Sequence, residues 1–358
     1  MASSNNTVPL VVTNNCPDTI WPGINTQSGS GPGTGGFELG AGLAKAMEVS
    51  HDWVGRVWGR TNCTFNSNGT GPANATASAS CLTGDCSGKL DCDSSGTPPA
   101  TLAEFTLSGG VNGDQNFYDI SLVDGYNLPV GLVYLPGSNT TFIPPNLVNQ
   151  ACIGTAGYLA DPARLGTTYT NSSFPLPLEP RRTNADLRRW CPWDLQAYPP
   201  PKKGGGVFPY PDDGIARPTF DPCLSACAKT GSDKDCCTGK HSTAGKCHAG
   251  LYARKAKRVC PDAYSYAFDD QTSTFIIPRG GGWRVVFCPE GRSTDILATF
   301  GTQLSELAAS GALDAQALAD VRNTTYIETH GASGAARSKV SLRRVVAAAV
   351  VVALAVIW

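Results

Sequence analysis

Charge, histidine and methionine are all scarce in this chain. Only 16% of its 358 residues are Asp, Glu, Lys or Arg, against 41% hydrophobic. So little charge excludes a coiled coil and a charge-rich disordered chain. Lys and Arg number 28 against 29 Asp and Glu. No excess positive field attracts phosphates, which excludes nucleic acid as a partner. The N-terminal stretch Met1–Thr7 lacks the basic and apolar regions of a secretory leader, and the strand-like Val8–Val12 is too short to serve as one.

What is abundant is cysteine, glycine and proline. Fourteen cysteines lie between Cys16 and Cys288, with 40 Gly and 26 Pro. An even, high cysteine count persists as disulfides only in an oxidising compartment, which predicts a secreted protein and a leader ahead of these residues. The sequons at Asn5, Asn68, Asn74, Asn139, Asn171 and Asn323 agree with a glycoprotein. A zinc reading of Cys223, Cys227, Cys236, Cys237, Cys247 and His248 fails on two counts. Only four histidines exist, and the spacing never repeats as paired ligands would. No metal and no cofactor is expected.

Fourteen consecutive apolar residues, Val345–Trp358, close the chain. They follow the polar spacer Ala336–Arg344 and the small residues Gly331–Ala335. About twenty residues are needed to span a bilayer as a helix. Small residues, spacer and apolar tail are the layout of a GPI-attachment signal with Ser333 as the attachment site, the alternative being a short tail anchor.

Between the ends, strand patterns alternate with turn-rich loops. Strand character falls at Val8–Thr13, Arg56–Arg60, Thr101–Leu107, Asn116–Val123, Tyr264–Tyr266, Thr272–Ile277 and Trp283–Phe287, and Asp124-Gly125 marks a turn. Residues 63–99 hold four cysteines and few large apolar residues, so they need crosslinks rather than a core. Residues 153–222 read as long Pro- and Gly-rich loops. Ala253–Arg258 closes a short helix, and 294–322 carries two helical patterns separated at Gly311.

Several motifs resemble one family. They are Asn14-Asn-Cys-Pro17, Arg56-Val-Trp-Gly-Arg-Thr-Asn-Cys63, Pro98–Phe105, Phe117–Asn127, Cys260-Pro-Asp-Ala-Tyr-Ser-Tyr266 and Phe287-Cys-Pro289. In this order they are similar to thaumatin-like proteins, the family of osmotin and the fifth pathogenesis-related group. The resemblance covers 8–289 and implies a mostly β fold, a flattened β-sandwich with two disulfide-rich loop lobes. The sandwich comes from 8–62, 100–150 and 261–289, the small disulfide lobe from 63–99, and a second lobe with a long insert from 151–260. A helical extension, 290–330, and the tail, 331–358, lie outside it. The family's usual eight bridges become seven here, one cysteine being replaced around Ile276-Ile277 and its partner being absent just before Cys152. The implied pairs are Cys16–Cys288, Cys63–Cys81, Cys86–Cys92, Cys152–Cys260, Cys191–Cys223, Cys227–Cys236 and Cys237–Cys247.

The residues alone make Glu104 an outward carboxylate if Phe105 faces the core, since strand neighbours alternate. Such a group ordinarily serves solvation. The resemblance adds an acidic cleft, carried here by Arg56, Glu104, Asp119, Asp124 and Asp270, with Asp269 adjacent to the last. Crowded carboxylates raise one another's pKa, so a protonated acid can stand beside an ionised partner, as glycoside hydrolysis requires. The expectation is Glu104 as acid, Asp124 or else Asp119 as base or nucleophile, Arg56 as orienting cation and Asp270 as a sugar-binding group. The family implies a weak endo-β-1,3-glucanase acting on wall glucan, with a non-catalytic β-glucan-binding or antifungal defence protein as the alternative. The partners expected are β-1,3-glucan or a related wall polysaccharide and, through the anchor, the membrane. The protein is expected to be a monomer at the cell surface or wall.

Overall fold

The computed structural model describes residues 6–73, 79–137, 140–160, 182–199, 202 and 222–323. Ten strands are present among them: β1 (Thr7–Asn14), β2 (Gly23–Ser28), β3 (Ala44–Ser50), β4 (Val54–Trp58), β5 (Leu102–Gly109), β6 (Gln115–Ser121), β7 (Val130–Leu135), β8 (Ala151–Cys152), β9 (Phe275–Pro278) and β10 (Gly282–Phe287). They form two five-stranded sheets, ordered β3-β1-β10-β7-β8 and β2-β4-β5-β6-β9. Only the β1–β10 pairing is parallel.

Alternation builds the layer between the sheets. On β5, Ala103, Phe105 and Leu107 are buried while Glu104 and Thr106 are only partly covered. On β6, Tyr118 and Ile120 are buried while Phe117 and Asp119 point the other way. Trp283 of β10 closes the layer from the opposite sheet, with its ring centroid 5.5 Å from Phe105 and 4.1 Å from Tyr118. Burial of each such ring stabilises the sandwich by about 2–3 kcal/mol.

The helices are short: α1 (Pro145–Val148), α2 (Asn184–Leu187), α3 (Ala226–Thr230), α4 (Asp233–Cys236), α5 (Leu251–Val259), α6 (Ile296–Ser310) and α7 (Ala315–Asn323). The small disulfide lobe has its own minor core of Trp58, Cys86, Cys92, Ala100 and Leu102. Arg60 fastens it. This buried guanidinium donates to the carbonyls of Trp21, Lys89 and Leu90, each at 2.7 Å. The seven disulfides are Cys16–Cys288, Cys63–Cys81, Cys86–Cys92, Cys152–Cys260, Cys191–Cys223, Cys227–Cys236 and Cys237–Cys247, the pairs the family pattern implies. Seven bridges and no free thiol suit an extracellular location.

The helical pair expected over 294–322 is present as α6 and α7, and it packs into the main core. Ile296, Phe300, Leu304, Leu307 and Val321 are buried there. Asp262 accepts from the backbone N–H groups of Ile296 (2.8 Å) and Leu297 (2.9 Å), anchoring the first turn of α6.

Two expectations are corrected. Tyr264–Tyr266 is not a strand: only Tyr264 bridges Ser121, and the chain then turns. The cause is Asp269, whose carboxylate accepts from both the N–H (3.0 Å) and the hydroxyl (2.7 Å) of Ser265. The sandwich also runs past residue 150, because β8 at Ala151–Cys152 pairs with β7. Ser333 and the apolar tail lie outside the described residues, as do 161–181 and 203–221 of the long insert. Among the described residues no helix is long and apolar enough to cross a membrane.

Candidate functional site: an acidic cleft

The register of three adjacent strands sets the site. Arg56 on β4 pairs with Glu104 on β5, and Glu104 pairs with Asp119 on β6. All three side chains share the face turned away from the sandwich core, where strand alternation sends them. Arg56 Nε lies 3.4 Å from Glu104 Oε1, with the two side chains 15% and 18% exposed. That shielding makes the pair stronger than a surface ion pair.

Asp119 is the anomalous member. Its Oδ1 is occluded and has no hydrogen-bond partner among the described residues. Burial, reinforced by the negative charge of Glu104 and of Asp270, holds its carboxyl well above the usual range, although Arg56 opposes the shift.

Asp124 comes from the turn after β6. Gly125, at φ 99°, lets this turn lie against the second lobe; a Cβ there would meet the carbonyl oxygen of Cys223 at 2.4 Å. The recess so formed pushes Asp124 up to about 6, first by burial and then by the charge of Glu104.

Asp270 is presented by a single 3-10 turn, Asp270–Thr272. Its Oδ1 accepts from the Tyr264 hydroxyl at 2.9 Å, and that hydroxyl also lies 2.5 Å from Thr274 Oγ1. Burial and the nearby Asp119 keep the Tyr264 phenol protonated. The neighbouring acid has another task. Asp269 holds Ser265 and pairs with Lys257 Nζ at 3.2 Å, and Lys257 also donates to Ala263 O, Thr272 O and Ser273 Oγ. Asp269 therefore builds the turn, and Asp270 is the one coupled to Asp119.

The structure thus places Arg56, Glu104 and Asp119 in one row, with Asp124 and Asp270 electrostatically coupled to it. Tyr264 was missed as a site residue. The signal was a phenol six residues ahead of Asp270 in the motif that begins at Cys260. Chemically, the cleft sets an ion-paired carboxylate beside two carboxyls whose pKa values are raised, chiefly by burial. Among the described residues no group of three or more His, Cys, Asp or Glu is arranged to hold a metal ion.

A family model for the Thaumatin family matches residues 14–289. The pathogenesis-related thaumatin-like protein 3.5 of Cryptomeria japonica is 35% identical over 282 residues, 78% of this chain and 89% of that protein. Pathogenesis-related protein 5 of Arabidopsis thaliana is 35% identical over 278 residues, covering 77% of this chain and 88% of that one. The solved structure of the thaumatin-like xylanase inhibitor is 31% identical where aligned, covering 35% of this chain and 74% of that chain with a TM-score of 0.28. The chain belongs to the thaumatin family, and it resembles that family's pathogenesis-related members throughout the sandwich and both lobes.

Proposed function

We propose that the chain is a wall-glucan-active protein, a slow endo-β-1,3-glucanase working through the acidic cleft. The observation that supports this most is the ion pair of Arg56 with Glu104, 3.4 Å apart in the cross-strand row, together with the recessed carboxyl of Asp124, which burial and the charge of Glu104 drive toward the protonated form. Glycoside hydrolysis uses that division of protonation states. The roles differ from the sequence expectation, because Arg56 pairs with Glu104 while burial raises the carboxyl of Asp124. Glu104 serves as the anion, base or nucleophile. Asp124, poised at about 6, gives its proton to the departing glycosidic oxygen. Water supplies the hydroxyl that ends on the new reducing sugar, and its remaining proton returns to the cleft carboxylates. Asp119, Asp270 and Tyr264 engage sugar hydroxyls.

The protein acts as a monomer outside the cell, held at the surface through Ser333. Release by a GPI-specific phospholipase is the expected result for that anchor, and retention on the membrane points to a tail anchor instead.

The function is tested with soluble and insoluble β-1,3-glucan. New reducing ends are counted alongside a pull-down, for wild type, Glu104→Gln and Asp124→Asn. New ends in wild type, lost in both variants with pull-down retained, are the expected result. Pull-down without new ends makes the cleft a glucan-binding site of a defence-type protein. Neither signal overturns the reading.

A further inference from the structure

Outside the cleft, the most lopsided surface is the second lobe. Between Pro222 and Cys260 the chain carries eight Lys or Arg and two acids, Asp233 and Asp235, in a molecule whose overall net charge is −1. The two acids of this stretch are turned onto its own hydroxyls. Asp233 Oδ1 accepts from Thr238 Oγ1 at 2.7 Å, and Asp235 Oδ2 accepts from Thr230 Oγ1 (2.7 Å) and Ser232 Oγ (2.9 Å). Four of the lysines take no part in these bonds. Lys229, Lys234, Lys240 and Lys246 are exposed, and among the described residues none of them forms an ion pair.

These four lysines sit on a stiff support. Consecutive bridges Cys227–Cys236 and Cys237–Cys247 staple the loop, and Ser225 and Ser232 cap α3 and α4. Holding a charged array in place before binding removes part of the ordering cost that a flexible basic loop would incur. A groove between this loop and Ser265–Ala267 is lined by Lys234, His248, Tyr252, Tyr266 and Val123, the last adjacent to Asp124. The basic face therefore borders the acidic cleft.

We propose that this face docks an anionic wall polysaccharide, a polymer of uronic acid whose carboxylates meet Lys229, Lys234, Lys240 and Lys246. Three features select this partner. The seven disulfides fit a location where such polymers occur and nucleic acid does not. The loop from Cys227 to Cys247 contains no aromatic residue other than histidine, so it offers no stacking platform for bases. Between Pro222 and Cys260, Leu251 is the one exposed large apolar side chain, too little for insertion into a bilayer. The ionised cleft repels a polyuronate and the lysine face attracts it. One surface thus tethers the protein to the anionic wall matrix while the cleft stays open to neutral chains.

The test uses the full chain and sodium polygalacturonate as probe, with binding measured by calorimetry at low salt and again in about 0.5 M NaCl. One variant carries Lys229→Gln, Lys234→Gln, Lys240→Gln and Lys246→Gln. A charge-matched control carries Lys45→Gln, Lys89→Gln, Arg279→Gln and Arg284→Gln on the sandwich and the small lobe. The expected result is salt-sensitive binding that falls at least about tenfold in the lobe variant and less than about twofold in the control. Equal loss in both variants, or no wild-type binding, overturns the proposal. Stronger binding to phosphatidylserine vesicles than to polygalacturonate also overturns it, in favour of a membrane surface. The result stands apart from the glucan reading, since polygalacturonate binding is scored with no glucan present and does not depend on whether the cleft cuts glucan.

Discussion

Glu104 and Asp119 stand directly opposite one another across β5 and β6, with Arg56 on the far side of Glu104. Two carboxylates in direct cross-strand register repel when both are ionised. The single cation at the end of the row pairs with Glu104, while burial first and then the charge of Glu104 raise the pKa of Asp119. Removing it with Arg56→Ala leaves Glu104 without its partner in a mostly covered position. The expected cost is about 2 kcal/mol of stability, together with a further rise in the Asp119 pKa. Urea unfolding measures the first, and carboxyl-carbon NMR titration the second. An Asp119 pKa that stays put would show that burial alone sets it.

The row was only partly legible in the sequence. Alternation around Phe105 puts Glu104 outside, and the motif match names all five cleft residues. The register was not legible, because β4 and β5 are separated by the whole small lobe and nothing local says which residue faces which. The occlusion of Asp119 was equally hidden. It depends on the turn that carries Tyr264 and Asp270, and that turn exists because Asp269 and Lys257 bend a segment with strand-like composition. Local β propensity lost there to a partly buried ion pair and five hydrogen bonds.

Two carboxyls raised to about 6, Asp124 in the cleft and Asp262 under α6, make folding take up protons. Their folded pKa values exceed the unfolded ones near 4, so between those limits the native state binds more protons than the unfolded state. Stability is then highest on the acid side and declines as pH rises through about 4 to 6. Asp262 is 2% exposed, and a shift of this size corresponds to about 3 kcal/mol. The expected observation is a urea midpoint that falls between pH 4 and 7, with a shallower fall in Asp262→Asn. The asparagine keeps one acceptor for the α6 backbone and carries no charge to bury. A profile that rises over this range would contradict the assignment.

The bridge between Cys16 and Cys288 joins the end of β1 to the end of β10 across 272 residues. Chain-entropy arguments assign a loop of that length about 5 kcal/mol. The parallel β1–β10 ladder already brings the two ends together, so the covalent bond acts chiefly on the unfolded chain. Replacing both cysteines by serine is expected to lower the unfolding free energy by about 4–5 kcal/mol while leaving the near-ultraviolet dichroism of the folded state intact. Loss of the native dichroism would instead show that the bridge shapes the folded sheet.

The most specific adaptation of this chain concerns the cysteine pair that the family pattern predicts and this sequence lacks. Where the cysteines would stand, Ile277 is wholly buried, as are Leu147 and Val148 just ahead of Cys152. α6 packs against both β9 and α1. Gln115 Nε2 donates to Ala308 O at 2.9 Å, and Asn146 Nδ2 donates to Val321 O at 2.7 Å. A helical clamp beyond the family domain thus covers the region where a covalent link is missing. Leu307, 1% exposed at the end of α6, is the residue to test, and Leu307→Ala is expected to cost about 3 kcal/mol. A chain ending at Pro289 should lose more, because β9 and α1 lose the cover of α6 together. Hydrogen exchange then has a clear signature: amides of β9 and α1 lose protection while those of β1 and β10 keep it. Uniform loss across both sheets would show that the helices stabilise the whole sandwich rather than the place where the bridge is absent.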